Sequence, residues 1–398
     1  MTATSTAAGR SSALVARTRS VEAPARLLDA LAPDGFAWLA DGTGFVTAGV
    51  AARVPAPLAG RVLAAMETDD PVGAPGTGAI AVGALAFGDA AGCELTIPAS
   101  VTGIDAEGRA WHTDIGPLAS RPVTAGSLPP ATRFSVEGRV SRASWVTQVD
   151  AVLDAIRAGE VEKVVLARDV IVHADAPFDA PTLVGRLRAT QGGCVVFADH
   201  GLVGASPELL VRRRGREVRS RPMAGTISRG PTDDGDRSAE AALAASAKDG
   251  LEHRLVTDAV VHGLRECGVD VTTVRGPEVA RLATVIHLAT TIAGTIDPRT
   301  ATSALDLALR LHPTPAVAGA PRDAALALLS QLESFDRGYY AGPVGWVDGH
   351  GDGEWAVALR CAELDGTTAR LVAGAGIVAG SEPDAEWAET QAKLEPML

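Results

Sequence analysis

The sequence predicts an α+β fold built on mainly antiparallel sheet. Three observations carry this. Strand-like runs follow one another with only short Gly- and Asp-rich turns between them, as in FAWLADGTGFVTAGVAARV. A few long segments with helical spacing stand among those runs. The regular strand–helix alternation of a doubly wound parallel sheet is missing. With 398 residues, the chain can bury a large core, and it reads as one compact domain over 1–398.

Along the chain, residues 1–20 are rich in Ser, Thr and Ala and lack the apolar stretch of a signal peptide, so they read as a flexible tail. From Asp34 to Ile115, strands are expected in FAWLA and TGFVTAGVAARV around the Asp41-Gly42-Thr43-Gly44 turn, then in GAIAVGALAFGD and CELTIPASVTGI. Residues 116–134, rich in Pro, Ser and Gly, are the best linker candidate. Ser144–Gly159 has helical spacing with Ser at its start and Gly at its end. The β-branched run VEKVVLARDVIV follows as a strand beginning near Lys163, and a β-meander extends from Cys194 to Gly225. A long helix is expected from about Arg237 to Cys267. Further strands are expected in TVIHLATTIAGTI, YAGPVGWVDG, EWAVALRCAEL and ARLVAGAGIV. The last helix starts at Ser381, with Asp384 three residues on as a capping box.

Bulk chemistry narrows the function. A net charge of −12 argues against nucleic acid or an anionic membrane as partner. The nearest basic patch, RRRGREVRSR, alternates with strand-like residues and reads as a solvated hairpin. Four cysteines without C-x-x-C spacing predict neither a disulfide framework nor a zinc site, and suit a reduced, cytoplasmic setting. No apolar run approaches the roughly 18–20 residues that span a bilayer. No phosphate-binding G-x-x-x-x-G-K-[ST] loop occurs. Gly374-Ala375-Gly376-Ile377-Val378-Ala379 has the outline of a dinucleotide fingerprint, but the chain ends at Leu398 with no room for the second strand that fold needs.

Several charged residues stand where apolar ones are expected. On the last helix, Glu386, Glu389 and Lys393 share a face at spacings of three and four. They could be a solvated face neutralised by Lys393, or carboxylates holding a divalent cation. Glu252 precedes Leu255 and Val256 by three and four residues and Ala259 by seven, which puts a carboxylate on an apolar stripe. It must shift its pKa, face a polar cavity or find a cation, with Lys248, His253 or a metal shared with the last helix as candidates. Lys163 shares a strand face with Val165 and Ala167, where burial would favour a base. Glu208, between Ser206-Pro207 and Leu209-Leu210-Val211, would keep its proton in an apolar pocket and could act as an acid; taken alone, each of Lys163 and Glu208 is more often a snorkelling or capping residue than a catalyst. Together these suggest magnesium-assisted acid–base chemistry on a small anion.

These motifs in this order resemble the chorismate-utilising enzymes, most closely the isochorismate synthases. The resemblance covers about Ser144 to Leu398 strongly, with 144–395 as the catalytic core, and is weak but compatible before it. It rests on VEKVVLARD, ASPELLVR, RPMAGT, KDGLEH, HLATTIAGT, LHPTPAVAGAP, FDRGYYAGPVGW, GEWAVALRCAEL and AGAGIVAGSEPDAEWAETQAKL. It implies an anthranilate synthase component I-like fold, in which two large antiparallel sheets pack as a sandwich with helices outside. It also implies that Lys163 activates the water added at C2 of chorismate and that Glu208 protonates the departing C4 hydroxyl. Glu252 and Glu389 would hold Mg²⁺, with Glu386 ligating directly or through water. Arg360, assisted by Tyr340, would grip the pyruvyl carboxylate, and His287 would contact the ring hydroxyl or carboxylate. Ala316, Lys393 and the backbone N–H groups of Gly225 and Gly374 would complete the substrate contacts.

Among relatives of this pattern, the ammonia-using anthranilate and aminodeoxychorismate synthases are disfavoured. The lysine base is present, Ala224 stands where aminodeoxychorismate synthases usually carry lysine, and nothing resembles a glutaminase. A salicylate synthase, which goes on to eliminate pyruvate, is the closer alternative; Ala316-Val317 favours isochorismate as the end product. A non-catalytic homologue would lack one of Lys163, Glu208, Glu252 or Glu389, and all four are present. The expectation is a cytoplasmic monomer using chorismate and Mg²⁺, whose product enters menaquinone or siderophore synthesis.

Overall fold

The alternating segments pair into one connected strand network in the computed structural model, which describes residues 14–116, 131–297 and 299–398. Among the described residues every strand pairing is antiparallel except that of Val15–Val21 with Glu67–Asp69. Two arms leave the long central strands Thr43–Pro55 and Glu94–Ile104, which pair with each other. One arm passes through Phe36–Ala40, Val195–Asp199, Leu202–Ser206, Cys361–Asp365 and Thr368–Ile377 to Lys163–Ala174. The other passes through Ile80–Ala84, Pro343–Asp348, Gly353–Val357, Leu209–Arg214 and Glu217–Arg221 to Val285–Thr295, which also pairs with Met223–Ser228 and Asp270–Arg281.

The arms are the two layers of a sandwich. Phe36, Trp38 and Phe197 of the first, Phe45 of the central strand Thr43–Pro55, and Val211, Ile292, Trp346 and Trp355 of the second bury themselves in one apolar cluster. Phe45 meets Trp346 edge-to-face across it, with ring centroids 5.9 Å apart. Helices cover the outside. Helix Arg142–Arg157 lays Trp145, Val149 and Val152, and helix Arg322–Leu332 lays Leu329, onto Val164 and Leu166. Each such side chain taken out of water contributes about 1.5–3 kcal/mol. Strand alternation thus sends Val164 and Leu166 outward and Val165 and Ala167 inward, which fixes the face on which Lys163 sits.

Several expected boundaries move, each for a local reason. The single helix expected over 237–267 is two, Asp233–Ala245 and Ala247–Glu266. Ser246 between them adopts an extended conformation, and its side chain caps the second helix by accepting from the Asp249 N–H. EWAVALRCAEL is two strands, Gly353–Val357 and Cys361–Asp365, because Arg360 takes a left-handed φ of 45°. The last helix begins at Pro383 with Glu382 as an N-cap that makes no side-chain bond; Ser381 Oγ instead accepts from the Val378 N–H. Part of the expected tail is strand Val15–Val21, while residues 1–13 lie outside the described residues. Of the linker candidate, 117–130 lie outside them too, and Phe134 opens strand Phe134–Gly138. Among the described residues no helix is long and apolar enough to cross a membrane, and all four cysteines are free.

Candidate active site

The far ends of the two layers form the walls of a cleft. The first layer contributes Val165, Val372 and Gly374, the second Met223, Thr226 and His287. Helix Ala247–Glu266 adds Glu252, helix Pro383–Leu394 adds Lys393, and loops bring Glu208, Ala316 and Arg360. A cleft that mixes apolar walls with Arg360, His287 and Lys393 suits a small-molecule anion.

Lys163 is 0% exposed, and its Nζ lies 2.9 Å from Glu252 Oε1. Among the described residues Lys163 Nζ has no other polar partner. Glu252 is therefore served by Lys163. Of the other candidate partners, His253 turns away to Thr290 Oγ1 at 2.6 Å, and Lys248 pairs with Glu386 at 2.7 Å. Burial pushes the Glu252 carboxyl up, but Lys163 together with Lys393 and Lys248 outweighs it and leaves the carboxyl below its usual range. Gly376 lets the pair close: a Cβ there would run into Glu252 Oε1 and come within 3.0 Å of Lys163 Cε.

Glu208 occupies the break between strands Leu202–Ser206 and Leu209–Arg214. Its N–H donates to Ser206 Oγ at 3.2 Å, and its carbonyl accepts from the Val357 N–H at 3.2 Å. Burial dominates its carboxyl and raises it to about 7, against the opposing pull of Lys163 and a bond from the Met223 N–H. A carboxyl in that state holds a proton near neutrality.

Arg360 reaches the cleft from a strained left-handed turn, a conformation that side-chain-bearing residues adopt at a cost of order 1–3 kcal/mol. Its Nη2 donates to His287 Nε2 at 2.9 Å. His287 must then carry its proton on Nδ1, which faces Thr226 Oγ1 at 3.1 Å and the Gly225 carbonyl at 3.3 Å. Burial, then the neighbouring guanidinium, holds the imidazole well below its ordinary pKa, so it is neutral. His287 thus aims Arg360, with its own tautomer set by Thr226 and Gly225. Tyr340 lines the cleft with its phenol pushed up by burial, and a Cβ at Gly374 would stand 3.1 Å from its oxygen. Lys393 donates to the Gly374 carbonyl at 2.9 Å and pairs with Glu389 at 2.7 Å.

The carboxylates assigned to a metal are each paired with a lysine: Glu252 with Lys163, Glu386 with Lys248, Glu389 with Lys393. Among the described residues no three acidic, His or Cys groups are gathered at ligand distances. The donor set nonetheless fits a hard cation. Burial raises the Glu389 carboxyl, and after the opposing effect of Lys393 the charges of Glu386 and Glu252 raise it further. Such crowding of carboxylates is what a divalent ion relieves.

Eight sequence-assigned residues line the cleft: Glu208, Glu252, His287, Ala316, Tyr340, Arg360, Gly374 and Lys393. Lys163 lies behind Glu252 and Gly376, and Glu386 and Glu389 stand back from the wall. Gly225 does not line it; with φ of 76° it turns toward helix Ala247–Glu266, where a Cβ would meet Asp249 at 3.0 Å. Sequence reasoning missed Thr226, Gly376 and the Glu333–Arg337 pair, whose side chains are 5% and 3% exposed. Arg337 donates to the carbonyls of Val317 at 2.7 Å and Val165 at 2.6 Å and so staples two cleft walls together. The one available signal was their i, i+4 spacing just before Tyr340.

The family model described as "Chorismate binding enzyme" matches residues 112–398. The chain is 42% identical to isochorismate synthase EntC of Escherichia coli strain K12 over 277 residues, 68% of each chain. Its fold matches the solved structure of MenF, the menaquinone-specific isochorismate synthase of Escherichia coli, with a TM-score of 0.78 at 27% identity, covering 96% of this chain and 94% of that one. It also matches anthranilate synthase component I of Streptococcus pneumoniae with a TM-score of 0.67 at 21% identity, covering 96% and 92%.

Proposed function

We propose that this chain, which belongs to the chorismate-binding enzymes, is an isochorismate synthase that adds water at C2 of chorismate as the C4 hydroxyl departs. The observation that carries this reading is Glu208, a buried carboxyl held at about 7 in the same cleft as Glu252, the partner of Lys163. One group can give a proton and the other can take one. With its amine in the neutral form, Lys163 Nζ takes the proton of the attacking water, Glu208 delivers one to the leaving oxygen, and proton exchange with solvent returns both groups to their starting states. Water enters and water leaves, so the overall change is an isomerisation with no net proton.

The substrate is an anion approaching a chain of net charge −12, so local cations must offset that field. Arg360 presents a planar fork suited to a carboxylate, and His287 holds it in place without competing charge. Lys393 supplies the second positive centre. Glu252, Glu386 and Glu389 would hold Mg²⁺, which when bound offsets the charge of the ring carboxylate. Water serves as the nucleophile, so no glutaminase subunit is needed. The enzyme works as a cytoplasmic monomer and supplies isochorismate for quinone or siderophore synthesis.

The test is turnover of chorismate in ¹⁸O-water with Mg²⁺ and mass analysis of the product. Isochorismate carrying the label in its C2 hydroxyl is expected. An unlabelled product would overturn water addition.

A further inference from the structure

Arg168 is buried, 3% exposed, and among the described residues no carboxylate pairs with it. Burial alone pulls its guanidinium down to about 10. An uncompensated buried cation costs stability, and an apolar side chain of similar length would cover the same surface more cheaply. Its presence therefore needs a reason other than packing.

Its side-chain hydrogen bonds and its cation–π contact among the described residues go to one helix. Nε donates to Thr390 Oγ1 at 2.7 Å and Nη2 to Gln391 Oε1 at 2.9 Å. The guanidinium carbon lies 4.0 Å from the centroid of the Trp387 ring. Residues 387, 390 and 391 form one face of helix Pro383–Leu394. Glu386, Glu389 and Lys393 form another, about 120° away at 100° per residue. At its start the helix is tied by Trp145, whose Nε1 donates to the Pro383 carbonyl at 3.1 Å. Arg168 ties its middle from the outward face of the strand whose first residue is Lys163, while Lys248 on Glu386, Lys393 on the Gly374 carbonyl and Thr284 Oγ1 on the Ala392 carbonyl tie its other faces.

We infer that Arg168 is a positioning residue: it fixes the rotation of the last helix and so sets Glu386, Glu389 and Lys393 against the cleft. The lever is short. A carboxylate at the helix surface, about 6 Å from the axis, moves about 1 Å for each 10° of rotation. A displacement of that size can cost about 100-fold in a reacting site. The inference rests on the proposed metal role of Glu386 and Glu389.

The experiment measures Mg²⁺ binding calorimetrically, with chorismate KM and kcat, for wild type, Arg168→Met, Arg168→Lys and Glu389→Gln. Arg168→Met is expected to weaken Mg²⁺ binding and raise KM about tenfold or more, as loss of a supporting contact does. Its kcat at saturating Mg²⁺ and chorismate should recover to within a few-fold, and Arg168→Lys should recover part of the affinity. Unchanged Mg²⁺ affinity and KM in a folded Arg168→Met protein would overturn the inference, whatever its melting temperature. If Arg168→Met does not fold, Thr390→Val with Gln391→Leu removes the same bonds from the helix side and is read in the same way. Unchanged Mg²⁺ binding in Glu389→Gln would instead overturn the metal assignment, separating the two failures.

Discussion

Replacing Glu208 by Gln separates what the carboxyl costs the fold from what it gives the reaction. Burial moves its pKa from 4.5 to about 7, and at ~1.4 kcal/mol per unit this is a penalty of about 3 kcal/mol when the group is ionised. The folded state binds the proton more tightly than the unfolded state. Below the unfolded pKa both states are protonated and there is no cost. Between the two values the unfolded chain ionises first, so stability falls as pH rises, and the full cost is reached above about 7. Gln is uncharged at every pH and keeps an acceptor for the Met223 N–H. Urea denaturation should therefore find wild type and Glu208→Gln similar at about pH 5, and the variant more stable by about 2–3 kcal/mol at about pH 8.5. Turnover should fall by about 10²–10⁴, since an amide cannot act as the acid. In wild type, kcat/KM should decline above about pH 7 as Glu208 loses its proton. A stability difference that is the same at both pH values would refute a raised Glu208 pKa and with it the assignment of this residue as the acid.

Three further outcomes follow from contacts in the cleft. Lys163→Met should abolish turnover and cost about 3–5 kcal/mol by leaving Glu252 without its counter-ion; adding Glu252→Gln should restore stability but not activity, as a double-mutant cycle by denaturation and product assay will read. Arg360→Lys should raise chorismate KM by about 10–100-fold with a smaller change in kcat, because an ammonium cannot reproduce the fork or its bond to His287. Gly376→Ala places a Cβ against Glu252 Oε1, and steady-state kinetics should show about a 100-fold loss in kcat with only a modest change in melting temperature.

The strand run at Lys163, the carboxylate of Glu252 on an apolar stripe and the acidic face of the last helix were legible because they depend on local period alone. The meander expected over 194–225, observed as strands from Val195 to Ser228, was legible for the same reason. What escaped depends on long-range neighbours or on a single dihedral. Lys248 reads as a partner for Glu252 four residues away, yet it meets Glu386 on a helix 138 residues on. The break at Arg360 arises from a left-handed turn in a residue with ordinary strand neighbours. Helices Ala304–Leu311 and Arg322–Leu332 are only 8 and 11 residues long and lie between loops, so their period is hard to separate from strand. The two-layer arrangement came from the family resemblance; alternation could place each side chain on a face but could not say which sheet it faced.

The most direct measurement is to incubate the purified chain with chorismate and Mg²⁺ and resolve the products by chromatography, with a coupled assay for pyruvate. Isochorismate alone, in a mixture approached from either substrate, is the predicted result. Salicylate with equimolar pyruvate, or anthranilate on addition of ammonium, would contradict it.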